Sequence, residues 1–235
     1  MPQTGAPVNA SRLGAGFTDN FHRMSNQPIE GVTVVDHPLV KARVAVLRDA
    51  GTSTELFRRT LNQLAALIAF EATRGLAVAT REVKSPLAAC EGHFLRDPIT
   101  IVPILRAGLG MAEALLQVLP EARVGHVGLA RNEKTFLPEH YYFKAPADLA
   151  ASDVFIVDPM LATGNSAGDA ADELKKQGAT RLTLVALVGC MQGARHFRQR
   201  HPDIPVLLAA MDPELNSAAY IVPGLGDAGD RYFGT

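Results

Sequence analysis

Asp158, Thr163, Gly164, Asn165 and Ser166 lie between four apolar residues, Val154-Phe-Ile-Val157, and a helix-compatible segment, Ala167 to Lys176. A buried strand, a short polar loop and a helix start in that order bring free backbone N–H groups and the positive end of a helix dipole to one point, which suits an anion. Gly164 lets the backbone come close to a phosphate, and Asp158 at the strand's end can accept hydrogen bonds from neighbouring sugar hydroxyls. The first ligand to consider is therefore a phosphorylated sugar. Taken alone, an ordinary strand-to-helix turn capped by Thr163 or Asn165 accounts for the same residues about as well.

Two arginines extend this chemistry. Ile99 to Leu105 is an apolar run ending in Arg106-Ala-Gly-Leu-Gly110, and Val124 to Leu129 is another, ending in Ala130-Arg-Asn-Glu-Lys-Thr135. Each arginine by itself could be a surface residue. Together they leave the same sheet edge as the Asp158 loop, and a guanidinium suits bidentate phosphate contacts, so a second, pyrophosphate-like anion is indicated.

The elements that must position these loops alternate. Val32 to Val35 is a short apolar run ending at Asp36-His37-Pro38, where the proline keeps His37 out of helical geometry, and Leu39 to Leu47 mixes apolar and basic residues. Thr54 to Leu76 reads as a helix, with capping-box spacing in Thr52-Ser-Thr-Glu55 and Phe57, Leu61, Leu64 and Ile68 along one face. Its wide apolar stripe must be buried against the domain or a second subunit. Glu82 to Asp97 reads as a strand or loop excursion. Helical patterns follow at Met111 to Leu119 and Met191 to Arg200, strands at Arg181 to Val188 and Val206 to Met211, and Tyr141 to Phe143 is placed to pair beyond the Arg131 loop. Strands alternating with helices predict an α/β fold with a parallel sheet covered on both faces and ligands outside the carboxyl ends of the strands.

Several function classes are disfavoured. With 23 Lys and Arg against 24 acids, the net charge is -1, which argues against a nucleic-acid protein held by a general basic surface. No stretch approaches the roughly 18 apolar residues of a membrane span, and with no 7-residue apolar run after the initiator a secretory signal is not expected. Cys90 and Cys190 form neither a disulfide framework nor a thiolate metal site, which fits a cytoplasmic setting. His196 and His201, five apart, do not share a helical face, so no metal is assigned to protein ligands. Gly224-Leu-Gly-Asp-Ala-Gly229 formally matches a dinucleotide fingerprint, but there is no room after it for the required helix and strand. The first 30 residues, rich in Gly, Asn, Ser and Pro, read as a mobile extension, and residues 31–235 as the functional domain. The glycine-rich end keeps Tyr220 and Phe233 and is expected to be ordered.

Asp158-Pro-Met-Leu-Ala-Thr-Gly-Asn-Ser166 resembles the phosphoribosyl pyrophosphate (PRPP) loop of the uracil phosphoribosyltransferase family, Ile104 to Met111 its pyrophosphate loop, and Tyr220 to Thr235 its uracil-binding end. His37 to Val40, Phe70 to Thr73 and Arg131-Asn-Glu133 fit as well. The resemblance implies a type I phosphoribosyltransferase-like fold with a small hood built from N-terminal and C-terminal segments, and transfer of ribosyl 5-phosphate from PRPP to N1 of uracil with Mg2+ bound mainly through PRPP. It assigns PRPP to Arg106, Arg131, Asp158, Pro159, Met160, Leu161, Ala162, Thr163, Gly164, Asn165, Ser166 and Asp227, with Arg106, Asp158 and Asp227 as catalytic residues. Uracil falls to Ile221, Gly226, Asp227 and Ala228. It also implies a homodimer or higher oligomer and an activating role for GTP. Asn165 departs from the family's more usual glycine, and Asp158-Pro159 from the paired acids of many other phosphoribosyltransferases, which favours the uracil branch. Backbone recognition would suit uracil, whose acceptors flank an N3–H donor, because fixed N–H and C=O groups reject cytosine's different pattern.

Overall fold

The structure is a computed structural model that describes residues 28–131 and 138–235. The expected mobile extension lies, up to residue 27, outside the described residues, as does loop 132–137 with Asn132 and Glu133; Arg131 is described by its backbone alone. The chain opens with β1 (Val32–Val34), α1 (Pro38–Arg48) and α2 (Thr54–Ala72). Pro38 starts α1, and His37, extended before it, caps the helix by accepting from Leu39 N through Nδ1 at 3.1 Å. The cap of α2 is Ser53, one residue later than the expected box. The Thr52 hydroxyl instead donates to Val46 O at 2.7 Å, and Ser53 Oγ accepts from Leu56 N. The helix ends before Leu76, because Thr73 turns its hydroxyl back onto the Ala69 carbonyl.

The excursion before Asp97 is a two-stranded ribbon of β2 (Val78–Lys84) and β3 (Ala89–Leu95). Next come β4 (Ile99–Leu105), α3 (Leu109–Val118), β5 (Arg123–Val124), β6 (His126–Arg131) and β7 (Pro138–Lys144). The second half adds β8 (Asp153–Val157), β9 (Met160–Leu161), α4 (Asn165–Lys176), β10 (Arg181–Cys190), α5 (Met191–Arg200) and β11 (Val206–Asp212). It closes with β12 (Glu214–Leu215), β13 (Ile221–Val222) and α6 (Ala228–Phe233).

The main sheet runs β1-β11-β10-β8-β4-β6-β7, parallel except for β7 at its edge, so the loops after β8, β4 and β6 emerge side by side. Pro103 sits inside central strand β4, where a missing N–H normally disrupts a ladder. Ile101 O accepts from Gly125 N on the β5/β6 side. Two residues on, Pro103 points the same way and falls at the break between β5 and β6, where no ladder bond is lost.

Alternate residues feed two cores. Ile101, Phe155, Val157, Val185 and Leu187 face α1, α2, α3 and α6, whereas Val102, Ile104, Ile156, Leu184 and Ala186 face α4 and α5. The stripe of α2 is buried within this first core through Phe57, Leu61, Leu64 and Ile68. Among the described residues no helix is long and apolar enough to cross a membrane.

Candidate functional site

In the loop after β8 the helix N-cap falls on neither Thr163 nor Asn165, the two residues that an ordinary capped turn would use. Gly164 is the N-cap of α4 in the left-handed region, φ +82°, and no side chain caps the helix. Asn165 is already its first residue, and Thr163 Oγ1 accepts only from Asn165 N at 3.4 Å. With no side chain at the N-cap position, the N–H groups that follow Asn165 at the start of the helix can receive an anion. A Cβ on Gly164 would stand 2.6 Å from Gly193 O, so the two glycines let α5 press against the loop from behind. Arg200 and His201 hold the other end: Arg200 pairs with Asp169 at 2.6 Å, and His201 Nε2 meets Gly168 O at 3.1 Å.

Asp158 follows β8 at the point where the strand is interrupted. Pro159 cannot donate to the ladder, its carbonyl accepts from Leu187 N and Val188 N, and β9 resumes alongside β10. The half-buried Asp158 carboxyl therefore turns into a cavity of about 240 Å³, lined also by Ala107, Met160, Ala162, Ala219 to Ile221 and Gly226 to Gly229. Removal from water pushes its pKa up to about 7; the Met160 N–H, 3.4 Å from Oδ1, opposes the shift, and the charge of Asp227 adds to it.

Arg106 leaves β4 after a cis Leu105–Arg106 peptide bond. Its exposed guanidinium lies 3.4 Å from Asp230 Oδ1 and 5.8 Å from the Phe233 ring, both on α6. Behind it the loop has no room for side chains. A Cβ on Gly108 would stand 2.8 Å from Ile104 N and O, and one on Gly110 would run into the Tyr232 ring. The C-terminal helix thus lies directly on the pyrophosphate-loop candidate.

The C-terminal segment is ordered, as expected. β12 and β13 form a hairpin whose loop is held by Asn216: its Oδ1 accepts from Ala218 N at 3.0 Å and Tyr220 N at 2.9 Å. This leaves Ala219 at φ +60°, facing the cavity in a conformation that non-glycine residues seldom adopt. Asp227 caps α6 by accepting from Asp230 N at 2.9 Å. The segment is tied to the N-terminal helices, which forms the expected hood. Arg231 donates to Leu225 O and Asp49 O, both at 2.7 Å, and to Leu47 O, and stacks 4.3 Å over Phe57. Arg48 reaches Asp212 and Gly224 O.

Of the residues singled out from sequence, Asp158, Met160, Ala162, Ile221, Gly226, Asp227 and Ala228 line one cavity. Thr163 to Ser166 form the adjoining loop and first helical turn, while Pro159 and Leu161 are buried supports in the sheet. Arg106 stands at the next strand end, and the Arg131 backbone ends β6 beyond it. Sequence reasoning missed Ala219, Arg48, Asp212 and Arg231. A signal existed for Asp212, an acid closing an apolar strand just as Asp158 does. None marked Ala219.

A family model described as Uracil phosphoribosyltransferase matches residues 34–235. The chain is 48% identical over 204 residues to the uracil phosphoribosyltransferase of Acholeplasma laidlawii, covering 87% of this chain and 98% of that protein. It is 46% identical over 208 residues to that of Rhizobium etli, covering 88% and 100%. A solved structure of a protein from Aquifex aeolicus superposes with a TM-score of 0.83 at 35% identity over 86% of this chain and 97% of that one. The adenine phosphoribosyltransferase of Trypanosoma brucei, 14% identical with a TM-score of 0.51 over 78% and 84%, shares the fold.

Proposed function

The chain belongs to the uracil phosphoribosyltransferase family, and from that premise we propose how its own residues carry the family's reaction. It is an enzyme that transfers ribosyl 5-phosphate from PRPP to N1 of uracil, giving UMP and pyrophosphate. The observation that carries the assignment of roles is the shared cavity: Asp158 at the end of β8 faces Ile221, Gly226, Asp227 and Ala228. Residues 31–235 form the transferase domain.

In this proposal the uncapped start of α4, with Thr163 to Ser166, holds the 5-phosphate, and Asp158 accepts from the ribose hydroxyls and fixes C1 for attack. Breaking the bond from C1 to pyrophosphate builds positive character on the ribose and negative charge on the leaving group. Arg106 and Arg131 meet that charge, each charge-assisted hydrogen bond contributing about 1.5–3 kcal/mol. Asp227 faces PRPP, while the backbone of Ile221 and Gly226 to Ala228 reads uracil. Ile221 is held by pairing with Leu215, and Gly226 takes a φ of +73° that lets the chain turn toward the base.

Among the described residues no group of three or more His, Cys, Asp or Glu is placed to hold a metal, and Asp158 and Asp227 are the carboxylates lining the cavity. One or two carboxylates plus phosphate oxygens and water suit Mg2+, so the donor set fits an ion that enters with PRPP. When bound, that ion neutralises charge on the pyrophosphate.

A homodimer or higher oligomer is part of the proposal. The β2–β3 ribbon has few buried residues, and an isolated two-stranded ribbon is marginal in water, so a second copy covering it is the natural support. A cytoplasmic setting and an activating role for GTP complete the proposal. Light scattering checks the oligomer, and a GTP titration of the initial rate checks the activator. The central test is UMP and pyrophosphate formation from uracil and PRPP with Mg2+. A folded protein that makes neither product overturns the roles assigned.

A further inference from the structure

The geometry points to Asp230 as a positioning residue that competes with pyrophosphate for Arg106 and so promotes release of the product anion. This inference rests on the proposed role of Arg106 and adds a residue to it. The Asp230 backbone is firmly held, and its carboxylate has one further hydrogen bond. Its N–H donates to Asp227 Oδ1 at 2.9 Å, its carbonyl accepts from Gly234 N at 2.7 Å and Thr235 N at 3.2 Å, and its Oδ1 accepts from the Thr235 hydroxyl at 3.1 Å. Arg106, by contrast, is 61% exposed, and Asp230 Oδ1 at 3.4 Å is its one ion-pair partner among the described residues. The Asp230 side chain is itself 48% exposed, but it is short and its backbone is fixed in the first turn of α6, whereas Arg106 reaches it on a long side chain with more freedom to swing.

An exposed ion pair at this distance contributes little to the fold, so its removal leaves the protein intact. Its effect on a ligand is larger, because both electrostatic terms have the same sign. A bound pyrophosphate must draw the guanidinium away from Asp230, and it also feels the repulsion of a fixed negative charge beside Gly229, which lines the cavity. As pyrophosphate leaves, Arg106 has a waiting counter-ion, and its contact with the Phe233 ring keeps it on that side. A substrate anchored also by its 5-phosphate and uracil sites tolerates this competition better than free pyrophosphate does.

The test compares Asp230→Asn, Asp230→Glu and Arg106→Ala in the full chain. Asp230→Asn is expected to lower the inhibition constant of pyrophosphate, measured against PRPP, three- to tenfold. KM for PRPP should fall less, the melting temperature should stay unchanged, and Asp230→Glu should restore the parent values. Unchanged or weaker pyrophosphate inhibition in Asp230→Asn overturns the inference. Arg106→Ala separates the two levels: if it weakens PRPP and pyrophosphate while Asp230→Asn has no effect, only the competition is refuted. If Arg106→Ala changes neither, the role given to Arg106 falls, and the inference with it.

Discussion

Arg48, at the end of α1, grips Asp212, at the end of β11, through two hydrogen bonds of 2.8 and 2.6 Å, and the same pair closes on the two sides of Gly224. Arg48 Nη1 donates to Gly224 O at 3.0 Å, and Asp212 Oδ2 accepts from Gly224 N at 2.9 Å. The pair therefore fixes the start of the segment assigned to uracil. Replacing Asp212 by Ala leaves Arg48 without its counter-ion and the buried Gly224 N–H unpaired, and breaking such a pair costs about 3 kcal/mol. The melting temperature should fall by roughly 6–12 °C, and KM for uracil should rise more than KM for PRPP. Equal changes in both constants would show that the pair supports the whole fold and not this segment.

Asp158 ties stability against function. Its pKa in the folded chain is about 7, above the ordinary carboxylate value of roughly 3.9. Between these values the native state binds more protons than the unfolded one, so stability falls as the pH rises from 4 to 7 and the full penalty persists above 7. Asp158→Asn removes a penalty on the order of 2–4 kcal/mol, raising the melting temperature at pH 8 by roughly 5–10 °C. The same change should abolish useful turnover. Calorimetry at pH 5 and pH 8 is decisive: a stabilisation no greater at pH 8 than at pH 5 would refute the raised pKa.

The alternation of apolar runs with helical patterns was enough to place the main sheet, because strands buried on both faces are near-continuous in Val, Ile and Leu. Thus β4 and α5 have their expected limits. The loop between β8 and α4 and the strand ends of β4 and β6 were legible as structure for the same reason. Contacts between distant segments were not: nothing local in Arg231 says that it will reach Leu47 and Asp49, and nothing in Ala219 announces a left-handed residue, which depends on Asn216 holding the hairpin loop. The β2–β3 ribbon escaped because periodicity reports a buried face, and its strands are largely exposed on both.

Gly164 joins two demands that another residue cannot meet together. Its φ of +82° costs an L residue about 1–2 kcal/mol, and a Cβ would stand 2.6 Å from Gly193 O, a backbone atom that cannot move aside without shifting α5. Gly164→Ala should therefore displace the start of α4, raising KM for PRPP strongly while KM for uracil changes little. Initial rates with each substrate varied in turn provide the check. An unchanged PRPP constant would mean that the helix start does not hold the 5-phosphate.

Arg231 gives the sharpest test of the C-terminal segment as part of the site. Its guanidinium spans the carbonyls of Leu47, Asp49 and Leu225 and stacks on Phe57, so one side chain joins the end of α1, the loop after it and the stretch before Gly226. A cation near the last carbonyls of a helix is also favoured by the helix dipole. Arg231→Lys keeps the charge but not the planar fork, and a point ammonium cannot meet three divergent acceptors and stack at once. Backbone amides from Leu225 to Phe233 should then exchange with deuterium faster, and KM for uracil should rise, while exchange in β4 and β8 stays slow. Unaltered exchange near Leu225 would show that the Arg48–Asp212 pair and the buried Tyr232 hold the segment without Arg231, and the uracil constant should then also be unchanged.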